Sequence, residues 1–169
     1  MLTFKLNTVA ACLGGAALWC GCLDPGAAAQ EAGLKQPSFD SGGVPIHYLV
    51  TGREDGEPVV LVHGFASSIE AQWTPVMDAL KKDYKVIAMD IRGCGGSGKP
   101  HDPKKYGIEM MNDVARLLDH LKIDKAHIVG YSVSAGTGLL LAAHHGQRLR
   151  TLSCCGAGTV SFGSNTPPA

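Results

Sequence analysis

The chain has 169 residues, 45% of them hydrophobic and 18% charged, with a formal net charge of zero. That is the composition of one ordinary globular domain. It excludes a basic face for nucleic acid and an acidic tail.

The first 29 residues differ from the rest. Lys5 is their only basic side chain, and Val9 to Leu23 is an unbroken run of apolar or small residues. The run is shorter than the roughly 20 residues of a comfortable membrane span. Ala27 and Ala29 then form an A-x-A cleavage pattern. Residues 1–29 therefore read as a secretory signal peptide, and the mature protein is expected in the periplasm or outside the cell. The alternative is a membrane anchor formed by an uncleaved N-terminal segment. Cleavage would leave Cys94, Cys154 and Cys155, an odd number that argues against a disulfide framework. Cys154 and Cys155, adjacent in an apolar run, read as small core residues. No His or Cys spacing suggests a metal site.

Residues 30–38 form a polar linker. Phe39 to Thr51 reads as two short strands around a Gly42-Gly43 turn. Pro58 to Val62 is continuously apolar, as a central strand covered on both faces should be, and it runs into His63-Gly64-Phe65. Ser67 or Ser68 can cap a helix that continues through Trp73, Val76, Met77 and Leu80. Tyr84 to Met89 is the next strand. It ends at Asp90 and a Gly-rich loop to Pro100, in which Asp90 is expected to order its loop with Arg92. From Ile108, the residues Met110, Met111, Val114, Leu117, Leu118 and Leu121 recur at helical spacing on one face. Glu109, Asp113, Arg116, Asp119 and Lys122 fall on the other, and this helix is expected to carry no chemistry.

Ala126 to Val129 reads as a buried strand, and Thr137 to Ala143 as the body of an apolar helix. Between them small residues crowd around a serine: Gly130-Tyr131-Ser132-Val133-Ser134-Ala135-Gly136. Strand, tight turn with a central serine, then helix is the layout of a nucleophile elbow. The turn is so tight that the positions two before and two after the serine must be small. Gly130 and Ser134 fill them, and Ser134 departs from G-x-S-x-G. A second frame, with Ser134 central between Ser132 and Gly136, also fits. Thr151 to Cys155 is a last apolar run, and the tail through residues 161–169 is expected to be loop or disordered. Strands alternating with helices after residue 58 predict an α/β fold with a doubly wound, mostly parallel sheet.

Several ordered motifs then resemble the α/β-hydrolase family. His63-Gly64-Phe65 is similar to its oxyanion loop, and Asp90-Ile91-Arg92-Gly93-x-Gly95-x-Ser97 to the loop after its fourth strand. Gly130-Tyr131-Ser132 is similar to its elbow, and His145-Gly146-Gln147-Arg148-Leu149 to the end of the helix after it. The resemblance covers residues 39–160. It implies Ser132 as nucleophile, because the spacing from Ser134 to Arg148 would be off by two. It implies an oxyanion hole from the backbone N–H groups of Phe65 and Val133, supported by His63, Gly64 and Gly130. A serine at 132, where halide- and epoxide-processing members carry aspartate, implies the esterase, C–C hydrolase or cofactor-free peroxidase side of the family. The implied partner is a small-molecule substrate, with no cofactor, metal, nucleic acid or membrane beyond export.

The family's chain order is Ser, then Asp or Glu, then His. No Asp, Glu or His lies between Leu149 and Ala169. The seven histidines of the chain offer no well-placed substitute base. The expectation is a C-terminally truncated domain with strands one to six, an apolar edge near Leu152 open to pairing, and little activity alone. A serine hydrolase is one reading. The other is a catalytically dead scaffold or binding protein, which the crowding expected from Ser134 slightly favours.

Overall fold

The computed structural model describes residues 37–157. The predicted signal peptide, most of the linker, and the tail from residue 158 lie outside the described residues. Within them the strands are β1 (Ser38–Asp40), β2 (Pro45–Gly52), β3 (Glu57–Val62), β4 (Tyr84–Met89), β5 (Ala126–Tyr131) and β6 (Leu149–Cys155). The α-helices are α1 (Ile69–Leu80), α2 (Ile108–His120) and α3 (Val133–His145). The strands form one six-stranded sheet in the order β1-β2-β4-β3-β5-β6. β4, β3, β5 and β6 run parallel, while β1 and β2 are antiparallel to their neighbours. The expected mostly parallel, doubly wound α/β sheet is what the chain forms.

Alternation along the central strands explains why helices cover both faces. Successive side chains of a strand point to opposite sides. Val59 and Leu61 join Val86, Ala88 and Val129 under Ile69, Trp73 and Val76 of α1. Val60 and Val62 join Ile87, Met89 and Ile128 on the other side, under Met111, Val114, Leu117 and Leu118 of α2 and Leu141 of α3. A strand apolar at every position thus serves two cores at once.

β6 closes one edge of the sheet, and its neighbour among the described residues is β5 alone. Leu149 and Leu152 are half-buried against the core. Gly138 lets α3 lie close to β6, since a Cβ there would sit 2.7 Å from Cδ1 of Leu152. The reading of Cys154 as a core residue is corrected, since it is exposed; Cys155 is half-buried and packs against the core under α1.

Two further expectations are corrected by one ion pair. Arg92 does not pair with Asp90. Its side chain is fully buried and forms a bidentate pair with Asp113 of α2, with Nε to Oδ2 at 2.6 Å and Nη2 to Oδ1 at 2.5 Å. Asp113 therefore belongs to the core, not to the polar face of α2. The Asp90 carboxylate is engaged elsewhere, and the planar guanidinium finds its fork-shaped match on the helix.

Candidate active site

β5 runs two residues further than the sequence suggests, to Tyr131, and α3 begins four residues earlier, at Val133. The turn between them shrinks to Ser132 alone. Ser132 has φ 55° and ψ −117°, conditions that an L-residue's Cβ disfavours. Gly107 occupies almost the same region, φ 65° and ψ −114°, and there the residue is glycine. A serine held in such a conformation costs about 1–3 kcal/mol and persists only where its surroundings fix it. Here the Ser132 N–H donates to the Cys155 carbonyl at 2.8 Å, and its carbonyl accepts from Ala135 N–H at 3.0 Å. The side chain stands exposed at the C-terminal edge of the parallel strands, and its Oγ makes no hydrogen bond to the described residues.

Gly130 is required by contact. A Cβ there would collide with the backbone carbonyl of Ser134. Ser134 is buried, inside the first turn of α3, with its Oγ donating to the His63 carbonyl at 2.5 Å. A buried helical residue bonded into another loop cannot be the centre of an exposed elbow, so the frame centred on Ser132 is the one whose serine meets solvent. Nor does Ser134 crowd the turn, as its sequence position suggested; its hydroxyl is absorbed by a partner 71 residues away in sequence.

The loop after β3 lies against this elbow. A Cβ on Gly64 would stand 3.0 Å from Cδ1 of Tyr131 and 3.3 Å from Cβ of Ser132, so glycine permits the approach. Gly64 N–H donates to Oε1 of Gln72, on α1, at 3.0 Å. Nδ1 of the fully buried His63 lies 2.7 Å from the Gly64 carbonyl. A carbonyl only accepts, so Nδ1 carries the proton. Nε2 of the same ring faces the Ile91 N–H and Oδ1 of Asp90, each at 3.2 Å. His63 is thus walled in and has no access to Ser132 as a base. Phe65 follows, 79% exposed, with its N–H unbonded among the described residues. Val133 is exposed too, and as the first residue of α3 its N–H has no intrahelical partner. Ala66 at φ 55° is a second strained non-glycine residue at this edge.

Asp90 ties the loops together. Its carboxylate accepts from Ile69 N–H, at the start of α1, at 2.8 Å and from Gly96 N–H at 2.7 Å. Gly95 must be glycine, because a Cβ would run into that carboxylate. Burial alone would push the Asp90 carboxyl up. The His63 ring beside it and the backbone hydrogen bonds from Gly96 and Ile69 outweigh burial and hold it below the usual carboxylate range. A depressed folded-state value contributes stability that is present above the unfolded value, about 3.9, and lost as pH falls through the folded one. We therefore expect the melting temperature to fall as pH drops below about 4, and Asp90→Asn to flatten that acid limb. An unchanged slope in Asp90→Asn, read by circular dichroism, would contradict the assignment.

The other nucleophilic side chains near the elbow are poorer. Tyr131 pairs with Cys155 and Gly130 with Cys154 across the sheet. Burial pushes both thiols up, away from the reactive thiolate. No group of His, Cys, Asp and Glu suited to a metal ion occurs among the described residues. Among those residues no helix is long and apolar enough to cross a membrane.

Comparison with known proteins gives this arrangement a family. Residues 57–169 match the alpha/beta hydrolase fold family. The chain belongs to that family. It is 33% identical over 133 residues to a 2-hydroxymuconate semialdehyde hydrolase of a Pseudomonas species, covering 78% of this chain and 43% of that protein. It is 36% identical over 128 residues to the dihydrolipoyllysine-residue acetyltransferase component of an acetoin cleaving system from Pseudomonas putida, covering 76% of this chain and 34% of that protein. Among solved structures it resembles the enol-lactonase of Burkholderia xenovorans, with a TM-score of 0.67 and 33% identity, covering 72% of this chain and 46% of that one. This α/β-hydrolase chain therefore spans less than half the length of these relatives.

Sequence reasoning did not single out Gln72 or Asp113. A polar residue on the inner turn of α1, eight residues after Gly64, was the one available signal for the first. For the second it was an aspartate followed directly by the apolar pair Val114 and Ala115.

Proposed function

We propose that this chain carries the nucleophile and oxyanion half of a serine hydrolase acting on a carboxylic ester or a related carbonyl compound. The observation that carries the reading is Ser132, exposed at a one-residue strand–helix junction in a conformation that glycine normally takes. Ser132 Oγ would attack the carbonyl carbon and give up its proton to a base. The carbonyl oxygen, now negative, would be held by the Phe65 and Val133 N–H groups, with the N-terminal end of the α3 dipole adding to them. The leaving group departs with a proton, and water then releases the acyl group from the serine. Phe65 and Val133 would form an apolar wall beside a small-molecule substrate. Relatives named as a hydrolase and a lactonase support carbonyl chemistry.

The general base belongs, in this reading, to polypeptide beyond the described residues. The outer edge of β6 suits pairing with such a segment, and residues 1–29 would direct export of the mature protein. The competing reading is a hydrolase-like scaffold without activity, favoured by the absence of any hydrogen bond to Ser132 Oγ among the described residues. A general base is worth about 10²–10⁴ in rate. The chain alone is therefore expected to hydrolyse p-nitrophenyl acetate at close to the buffer rate, and added imidazole to raise a component that Ser132→Ala removes. If imidazole produces no Ser132-dependent component in folded protein, the scaffold reading stands.

A further inference from the structure

We propose that Ser134 and Gln72 are positioning residues that clamp one peptide unit of the β3–α1 loop and thereby set the Phe65 N–H against Ser132. The proposal rests on the reading of this site as a serine hydrolase.

The argument follows two consecutive peptide planes. No peptide bond among the described residues is cis. In a trans peptide the C=O and N–H point in opposite directions. The plane between His63 and Gly64 is held at both ends. Its carbonyl accepts from Ser134 Oγ of α3 at 2.5 Å, and its N–H donates to Gln72 Oε1 of α1 at 3.0 Å. Those helices lie on opposite faces of the sheet, so the clamp spans it. The next plane, between Gly64 and Phe65, is held at its carbonyl by His63 Nδ1 at 2.7 Å. What is left over is the N–H of that second plane, which belongs to Phe65. Every other polar group of the two planes is spent, so this donor is oriented before any ligand arrives.

Ser134 is more than a buried hydroxyl that has found the nearest acceptor. A serine in a helix commonly points to solvent or bonds back to a carbonyl of the preceding turn. This one reaches instead into the loop that carries the second donor. The elbow and the loop are thus one rigid unit. The residue that departs from G-x-S-x-G is the one that joins them.

A fluorophosphonate probe, with imidazole as external base, tests the role in the full chain. Loss of a clamp should misplace the donor without changing how the probe is bound. A misplacement near 1 Å can cost about 10²-fold. We expect Ser134→Ala and Gln72→Met each to lower the limiting rate of Ser132 labelling at least tenfold, roughly, with half-saturation unchanged. Ser134→Thr, which keeps the hydroxyl, should recover most of the rate. Amide hydrogen exchange at Gly64 should accelerate in Ser134→Ala, a readout that needs no chemistry at Ser132. Labelling of Ser132 that is indifferent to Ser134→Ala overturns the positioning role alone, and unchanged exchange at Gly64 overturns the clamp. No Ser132-dependent labelling of the unaltered, folded chain contradicts the hydrolase reading, and the positioning role falls with it.

Discussion

Asp113→Ala is expected to destabilise the domain by about 3–5 kcal/mol. The variant leaves Arg92 fully buried with its principal counter-charge gone. Burial alone would push the guanidinium down; the hydrogen bond and charge of Asp113, with the charge of Glu109, outweigh it and raise it. Arg92 stays charged, so the variant would bury an uncompensated cation. Glu109 Oε2 lies 3.9 Å from Arg92 Nη2, too far for a hydrogen bond, and offsets only part of the loss. Ser41 also loses a partner, because its Oγ donates to Asp113 Oδ1 at 2.5 Å. Against a total stability of about 5–15 kcal/mol, such a cost is severe. The urea midpoint of Asp113→Ala decides it, and a loss under about 1 kcal/mol would contradict the account. The pair Arg92→Met with Asp113→Leu separates charge from packing. It should be more stable than Asp113→Ala, since removing both charges is far less costly than stranding one. Recovery should be incomplete, because Arg92 also donates to the carbonyls of Lys105 and Ser41.

The second large effect concerns Ser132. Removing the nucleophile should abolish covalent capture, whereas removing a neighbour should only slow it. Ser132→Ala is expected to lower fluorophosphonate labelling by at least about 10²-fold, with folding intact. Alanine in the Ser132 conformation keeps the same backbone strain, so any change in stability should be small.

The architecture was legible because the chemistry of burial writes itself into the chain. Val59 to Val62 is apolar at every position because two layers of helices cover β3. The periodicity from Met110 to Leu121 marks the side of α2 that meets the core. Gly130 was legible as a tight position because a Cβ there would meet the Ser134 carbonyl. The turn at Ser132 was read as longer than it is, because Val133 to Gly136 are small residues that serve a turn or a tightly packed helix equally well.

What stayed hidden were pairings between distant residues. Arg92 had two aspartates within plausible reach, and the sequence favoured the nearer, Asp90. That carboxylate proved committed to Ile69, Gly96 and His63, which left Asp113 for the guanidinium. Ser134 read as a flaw in the elbow pattern, because a pattern records size and not the partner that a hydroxyl finds. Cys154 read as core because it sits in a mostly apolar run, but the run does not record which faces of β6 another element covers, and Cys154 is exposed.

The central claim is that Ser132 is the nucleophile of a prepared site. Intact mass and peptide mapping of the folded chain after fluorophosphonate treatment, with imidazole present, test it directly. The account predicts a single adduct on Ser132 that is absent from Ser132→Ala. An adduct that maps elsewhere and survives Ser132→Ala, or no adduct at all, would contradict it.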